Sequence, residues 1–258
     1  PVFAQKLIDA FWPGPLTLIL PRRPEVAAVA AGGQNSVGLR CPSHPVAHAV
    51  LQAANGLGVY GVAAPSANLF GRVSPTTAAH VATEFGERLL VVDGGACDVG
   101  IESTIVDCTR GMPVLLRPGV LTLEQLSAAC GEIVRTSVIT DADAPRASGT
   151  LASHYAPSAR VQLMTATELQ TAVDTYAKQG ANTSARTSAD APVQIAVWAR
   201  SAVTLPASPA AKFICQLMPT SAHDCAHVLF AQLRTFDAQG VTHIWVETPP
   251  PMPEWDGV

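Results

Sequence analysis

The chain has 258 residues, enough for one large domain or two modest ones with real cores. Hydrophobic residues make up 48% and charged residues only 14%, which excludes disorder driven by charge and low hydropathy. A formal net charge of −4 with no run of basic residues argues against a generic nucleic-acid-binding surface.

In chain order, residues 5–12 read as the end of a helix, Pro13-Gly14-Pro15 as its stop and Leu16–Leu20 as a strand. Val37–Arg40, Val59–Ala63, Leu89–Asp93, Ser103–Asp107 and Val114–Arg117 are aliphatic or β-branched runs bounded by turn residues, and each is predicted to be a strand. Pro45–Ala54 and Thr76–Phe85 carry apolar residues at helical spacing, and Thr122 with Gln125 forms a capping-box pattern opening a helix to Cys130. This block, residues 1–135, is predicted to be a mixed α/β domain.

From residue 136 to 159 periodicity gives way to Ser, Thr, Asp, Ala and Pro, the composition of an interdomain linker. Residues 160–258 form the second domain, with strands at Arg160–Met164, Val193–Trp198, Phe213–Leu217 and Val241–Glu247. Helices are predicted over Ala166–Lys178 and Ser221–Gln239, the latter stopped by Gly240. Strands alternating with helices imply a small parallel sheet, a Rossmann-like three-layer domain.

The 31 residues between Arg40 and Arg72 carry no charged side chain, yet three prolines and several amides and histidines disqualify them as a membrane span. The start of the chain has no signal-peptide pattern, so a cytoplasmic location is expected. The six cysteines lack CxxC spacing and a neighbouring histidine pair; no protein-held metal is predicted, and they read as small buried hydrophobes. His44/His48 and His223/His227 are i, i+4 pairs with no third ligand evident.

Three places have the residue types for anion chemistry. Ala63-Ala64-Pro65-Ser66-Ala67-Asn68, followed by Gly71 and Ser74-Pro75-Thr76-Thr77, runs from a strand to a helix through small hydroxyl and amide residues, a composition suited to phosphate; Ser74-Pro75-Thr76-Thr77 also reads as an ordinary helix N-cap. Arg40 and Arg117 stand at strand exits, where a guanidinium fork suits phosphate or carboxylate and equally a surface ion pair. Ser103-Thr104 follows a Gly-rich loop, Asp93-Gly94-Gly95 to Gly100, which lets backbone approach a ligand and reads as well as a hairpin turn.

Phe11-Trp12-Pro13-Gly14-Pro15-Leu16-Thr17, Val37-Gly38-Leu39-Arg40-Cys41-Pro42, Ala64-Pro65-Ser66-Ala67-Asn68, Glu102-Ser103-Thr104-Ile105-Val106-Asp107 and Leu116-Arg117-Pro118-Gly119 together resemble the YrdC/Sua5 family in order and spacing. Ala152-Ser153-His154-Tyr155-Ala156-Pro157 resembles the linker of its two-domain, Sua5-type members. The resemblance implies a YrdC-like twisted mixed sheet with flanking helices, then the Rossmann-like second domain.

The implied activity is L-threonylcarbamoyladenylate synthesis from L-threonine, bicarbonate and ATP, with Mg2+ carried on ATP, for the t6A modification of tRNA. The product passes to the tRNA threonylcarbamoyl transferase machinery, so tRNA binding by this chain is expected to be weak or absent. By the same resemblance Ser66, Asn68, Ser74, Arg117 and Tyr155 bind ATP. Arg40, Ala64 and Ser103 face threonine; Arg40, Arg117 and Asn68 do the catalytic work; and His154 with Tyr155 forms a lid.

Against that family's pattern the chain has Ser148-Gly149 where Pro-Gly is usual, and it is expected to be truncated at both ends, lacking a first strand and a Lys-x-Arg segment. An uncovered apolar face and impaired synthesis are then expected of the chain by itself. A YrdC-like fold serving as an RNA-binding module without catalysis is the alternative, which salt-dependent binding to tRNA or duplex RNA would reveal. A carbamoyl-transferring hydrogenase maturation factor also has such a fold but brings zinc-type cysteine motifs that this sequence lacks.

Overall fold

Leu16–Pro21 (β1) is the spine of the first domain because its alternate residues Leu16 and Leu18 are wholly buried. The computed structural model describes residues 1–136, 145, 156–182, 193–206 and 211–258. Strand β1 pairs antiparallel with Ser36–Leu39 (β2) and parallel with Thr104–Asp107 (β3); β3 pairs antiparallel with Val114–Arg117 (β4), and β4 parallel with Arg135–Thr136 (β5). The resulting mixed sheet has the order β2-β1-β3-β4-β5.

Val2–Phe11 (α1) buries Phe3, Ala4 and Leu7, one helical stripe, against Leu16, Leu18, Val106 and Leu115 of the sheet. Leu123–Cys130 (α4) closes the same core with Leu126 and Cys130, and Thr122 and Gln125 make the reciprocal capping box read from the sequence. Pro45–Gly56 (α2) and Ala78–Phe85 (α3) complete the helices of this half.

Two predicted strands are absent. Residues 59–63 and 89–93 form no ladder, and Val59, Tyr60, Val62, Leu90 and Val92 are exposed. Their composition favours a strand, but a strand forms only where a neighbour takes up its backbone groups, and no strand among the described residues pairs with them.

In the second domain Arg160–Met164 (β6), Val193–Ala199 (β7), Ala211–Leu217 (β8) and His243–Glu247 (β9) form an all-parallel sheet of order β6-β9-β7-β8. Ala166–Asn182 (α5) and Ala222–Ala238 (α6) cover opposite faces. The period-2 geometry of strands sorts the residues: Ala196, Trp198, Ile244 and Val246 pack with α6, while Ile195, Val197, Ala199 and Trp245 pack with α5. This is the three-layer arrangement that the strand–helix alternation implies.

The cysteine expectation holds for three of the six. Cys108, Cys130 and Cys225 are buried, and burial pushes the Cys108 and Cys225 thiols up to about 12 and about 11; Cys41 is half-buried, and Cys97 and Cys215 are exposed.

The domains meet along one face of α6. His227, Phe230 and Arg234, spaced i, i+3 and i+7, all turn toward the first domain. His227 Nδ1 lies 2.7 Å from the Asp98 carbonyl, and Val73 of the first domain is buried in the same core as Phe230, Leu233 and Phe236. Where the linker re-enters the described residues, the Ala156 amide donates to the Gly71 carbonyl at 3.0 Å and the Ser158 amide to the Asp237 carboxylate.

Candidate active site

A cavity of about 370 Å³ opens where three first-domain loops meet α6. One wall is Ser66-Ala67 with Ser74 to Ala78, a second is Val91 to Gly95 with Cys97, a third is Gly100 to Ser103; Arg40 stands at the rim and Phe230 forms part of the floor.

The helix start explains why Ser74 is available. Thr77, not Ser74, caps α3: its hydroxyl accepts the His80 amide at 3.2 Å. The Ser74 hydroxyl therefore serves another partner and donates to Glu102 Oε1 at 2.6 Å, joining two walls of the cavity. Thr76 donates its amide to His80 Nδ1 at 3.2 Å, which fixes that nitrogen as an acceptor. Burial, reinforced by the Arg234 charge, holds His80 below the usual histidine range and so keeps the ring neutral.

Ser103 is held from three sides. Its hydroxyl lies 2.8 Å from Thr17 Oγ1 on β1, and Arg117 donates to its carbonyl through Nε at 3.0 Å and Nη2 at 2.8 Å, with a further bond from Nη2 to the hydroxyl at 3.2 Å. Glu102 Oε2 stands 3.8 Å from Arg117 Nη2. A chain Ser74–Glu102–Arg117–Ser103 thus runs across the site.

Of the residues singled out from sequence, Arg40, Ser66, Ser74 and Ser103 line the cavity together. Arg117 stands behind Ser103 rather than on the cavity surface. Asn68 braces its own loop, donating Nδ2 to the Leu69 and Arg72 carbonyls at 3.0 and 2.9 Å, and neither it nor Ala64 forms part of the lining. His154 and Tyr155 lie outside the described residues.

Glu102 was legible, standing directly before Ser103 in the quoted motif, yet its role as the joint between the walls was missed. Phe230 carried no local signal, because its place in the site depends on how two domains pack. Cys97 also lines the cavity; desolvation, with the nearby Asp98 and Glu102 charges, raises its thiol above the ordinary range and makes it a poor nucleophile. Among the described residues no group of three or more His, Cys, Asp or Glu is placed to hold a metal ion. Among the same residues no helix is long and apolar enough to cross a membrane.

The arrangement offers hydroxyls on two walls, a Gly-rich loop and a guanidinium, residue types suited to an anionic ligand. Two family models match the chain, one described as "Telomere recombination" (Sua5_yciO_yrdC) over residues 1–119 and one described as "Threonylcarbamoyl-AMP synthase, C-terminal domain" over residues 121–258. A threonylcarbamoyl-AMP synthase of Pyrococcus abyssi is 44% identical over 164 residues, covering 62% of this chain and 47% of the relative. One of Schizosaccharomyces pombe is 35% identical over 257 residues, 93% of this chain and 60% of the relative. The chain thus spans between 47% and 60% of the length of these two relatives.

Among solved structures, P. abyssi Sua5 complexed with L-threonine superposes with a TM-score of 0.79 at 31% identity, over 100% of this chain and 72% of that one. A variant of the same protein with a histidine and a tyrosine changed to alanine gives a TM-score of 0.81 at 29% identity over 70% of its length. With both halves matched and a solved relative aligned over all of this chain, the chain belongs to the Sua5 family.

Proposed function

We propose that the full-length protein is an L-threonylcarbamoyladenylate synthase, consuming L-threonine, bicarbonate and ATP and supplying the threonylcarbamoyl group for t6A in tRNA. The observation that carries this reading is the shared fold with a threonine-bound Sua5 through both domains, and the hydroxyl-rich cavity with Arg40 in its lining is in keeping with it. ATP enters as its Mg2+ complex, the metal belonging to the substrate.

In this reading Ser66 and Ser74 face the phosphates, the Ser74 hydroxyl exchanging Glu102 for a phosphate oxygen, and Arg40 with Ser103 holds threonine or its carbamate. Arg117 acts through Ser103, whose carbonyl it fixes, and Asn68 holds the 68–72 loop in shape. The threonine amine and bicarbonate give a carbamate with loss of water. A carbamate oxygen then attacks the α-phosphorus, the bond to the bridging oxygen breaks, and pyrophosphate leaves with the electron pair. Nothing in this sequence needs an enzyme nucleophile, in keeping with the raised Cys97 thiol. Catalysis is in-line positioning and neutralisation of developing charge.

The test is to incubate the full-length protein with labelled bicarbonate, L-threonine and MgATP and to measure labelled adenylate and pyrophosphate. The two products should form one to one and only with threonine present. Pyrophosphate release indifferent to threonine overturns the reading, and salt-dependent tRNA binding without adenylate formation would support an RNA-binding module instead.

A further inference from the structure

Arg234 belongs to the second domain, yet its guanidinium is spent on the first. Nε donates to the Ser74 carbonyl at 3.2 Å, and Nη2 donates to the Val73 carbonyl and, at 2.8 Å, to Glu84 Oε1. The other oxygen of Glu84 accepts the Leu69 amide at 3.0 Å, so the single ion pair pins both ends of the 69–74 loop. This node is largely shielded from solvent: the Arg234 and Glu84 side chains are 13% and 4% exposed. Burial opposes ionisation of Glu84, but the Leu69 amide and Arg234 outweigh it and hold the carboxyl below the usual range.

The loop so held presents Ser74 to the cavity, and Val73 beside it is buried against the second-domain core. A peptide whose carbonyls are fixed on both sides of the Val73–Ser74 bond has little freedom left at the Ser74 Cα. The direction of the Ser74 hydroxyl is then set from the other domain. We propose that Arg234 is a positioning residue of the cavity: by clamping the Val73 and Ser74 carbonyls it makes anion binding in the first domain depend on the seating of the second.

The inference rests on the proposed synthase reading for what binds, and the experiment separates the two. In the full-length protein, wild type, Arg234→Ala, Arg234→Lys and Glu84→Gln are compared by amide hydrogen exchange and by steady-state synthesis. The control is Thr235→Ala, a neighbour whose hydroxyl bonds within its own helix, to the Ala231 carbonyl.

Arg234→Ala should speed exchange at Leu69, Arg72 and Thr76 by about tenfold while leaving Val106 and Val197 protected, and should raise the KM for ATP about tenfold with that for threonine within about twofold. Arg234→Lys, keeping charge without the fork, should fall between. Glu84→Gln should stay folded and loosen Leu69 more than Thr76. Unchanged loop exchange in Arg234→Ala overturns the proposal, as does loosening at Val106 and Val197 to the same degree, or equal rises in both KM values. If wild type makes no adenylate the synthase reading falls, and the exchange measurement alone decides the clamp.

Discussion

The Ser74 hydroxyl donates to Glu102 at 2.6 Å across 28 residues of sequence, and the far oxygen of the same carboxylate faces Arg117 at 3.8 Å. One carboxylate therefore sets the geometry of both Ser74 and Arg117. Glu102→Ala and Arg117→Ala should each lower kcat/KM by about 10- to 100-fold, because each removes a charge-assisted hydrogen bond worth about 1.5–3 kcal/mol. The double variant should lose far less than the sum, since the second substitution cuts a chain already broken. Additive losses would show that the two residues act separately.

Ser103→Ala should raise the KM for threonine by about two- to tenfold and that for ATP by less, from loss of one hydroxyl contact worth about 0.5–1.5 kcal/mol. Initial rates with each substrate varied in turn check this. Equal effects on both would show that Ser103 serves the two ligands alike.

Gly100 has φ +79°, and a Cβ there would overlap the His227 backbone on α6. Gly100→Ala thus meets both a backbone penalty and a steric one at the domain junction. It should lower Tm by several degrees and abolish synthesis, with the second-domain core retained; near-ultraviolet circular dichroism reporting Trp198 and Trp245 beside an activity assay reads both.

Acid should weaken the junction first. Glu84 has its pKa lowered from 4.5, against burial, by the Leu69 amide and Arg234, with Arg72 adding to the pull. It stabilises the fold fully above 4.5 and loses that contribution as pH falls through its lower, folded-state value. His80, lowered from 6.5, acts in the same direction over a higher window, because only the unfolded state binds its proton just below 6.5. Thermal unfolding between pH 8 and pH 3 should show Tm falling in two stages, and Glu84→Gln should flatten the lower one. An unaltered lower limb in that variant would remove Glu84 as its source.

Much of the fold was legible because the signals were local. Strand β7 announces itself as Val193–Ala199, an apolar run buried on both faces, and α6 opens with Ser221 accepting the Asp224 amide at 3.0 Å. Residues 59–63 and 89–93 misled for the opposite reason: their letters favour strands, but pairing is a property of neighbours, not of letters. Arg40, Ser66, Ser74 and Ser103 were legible only as separate polar places between apolar runs, and it was the family resemblance that assigned them to one site. Glu84 and Arg234 were not. They stand 150 residues apart, each unremarkable on its own helix, and only the docking of two domains joins them.

The helix that presents His227, Phe230 and Arg234 to the first domain has a bearing on descent and on engineering. A chimaera that grafts the second domain of one Sua5 onto the first domain of another would inherit α6 without the Val73, Glu84 and Gly100 surface that it grew up against. Such a hybrid should fold as two sound halves and still bind its substrates poorly. Transplanting those three first-domain residues together with α6 should restore it, making that patch, rather than the linker, the real unit of exchange.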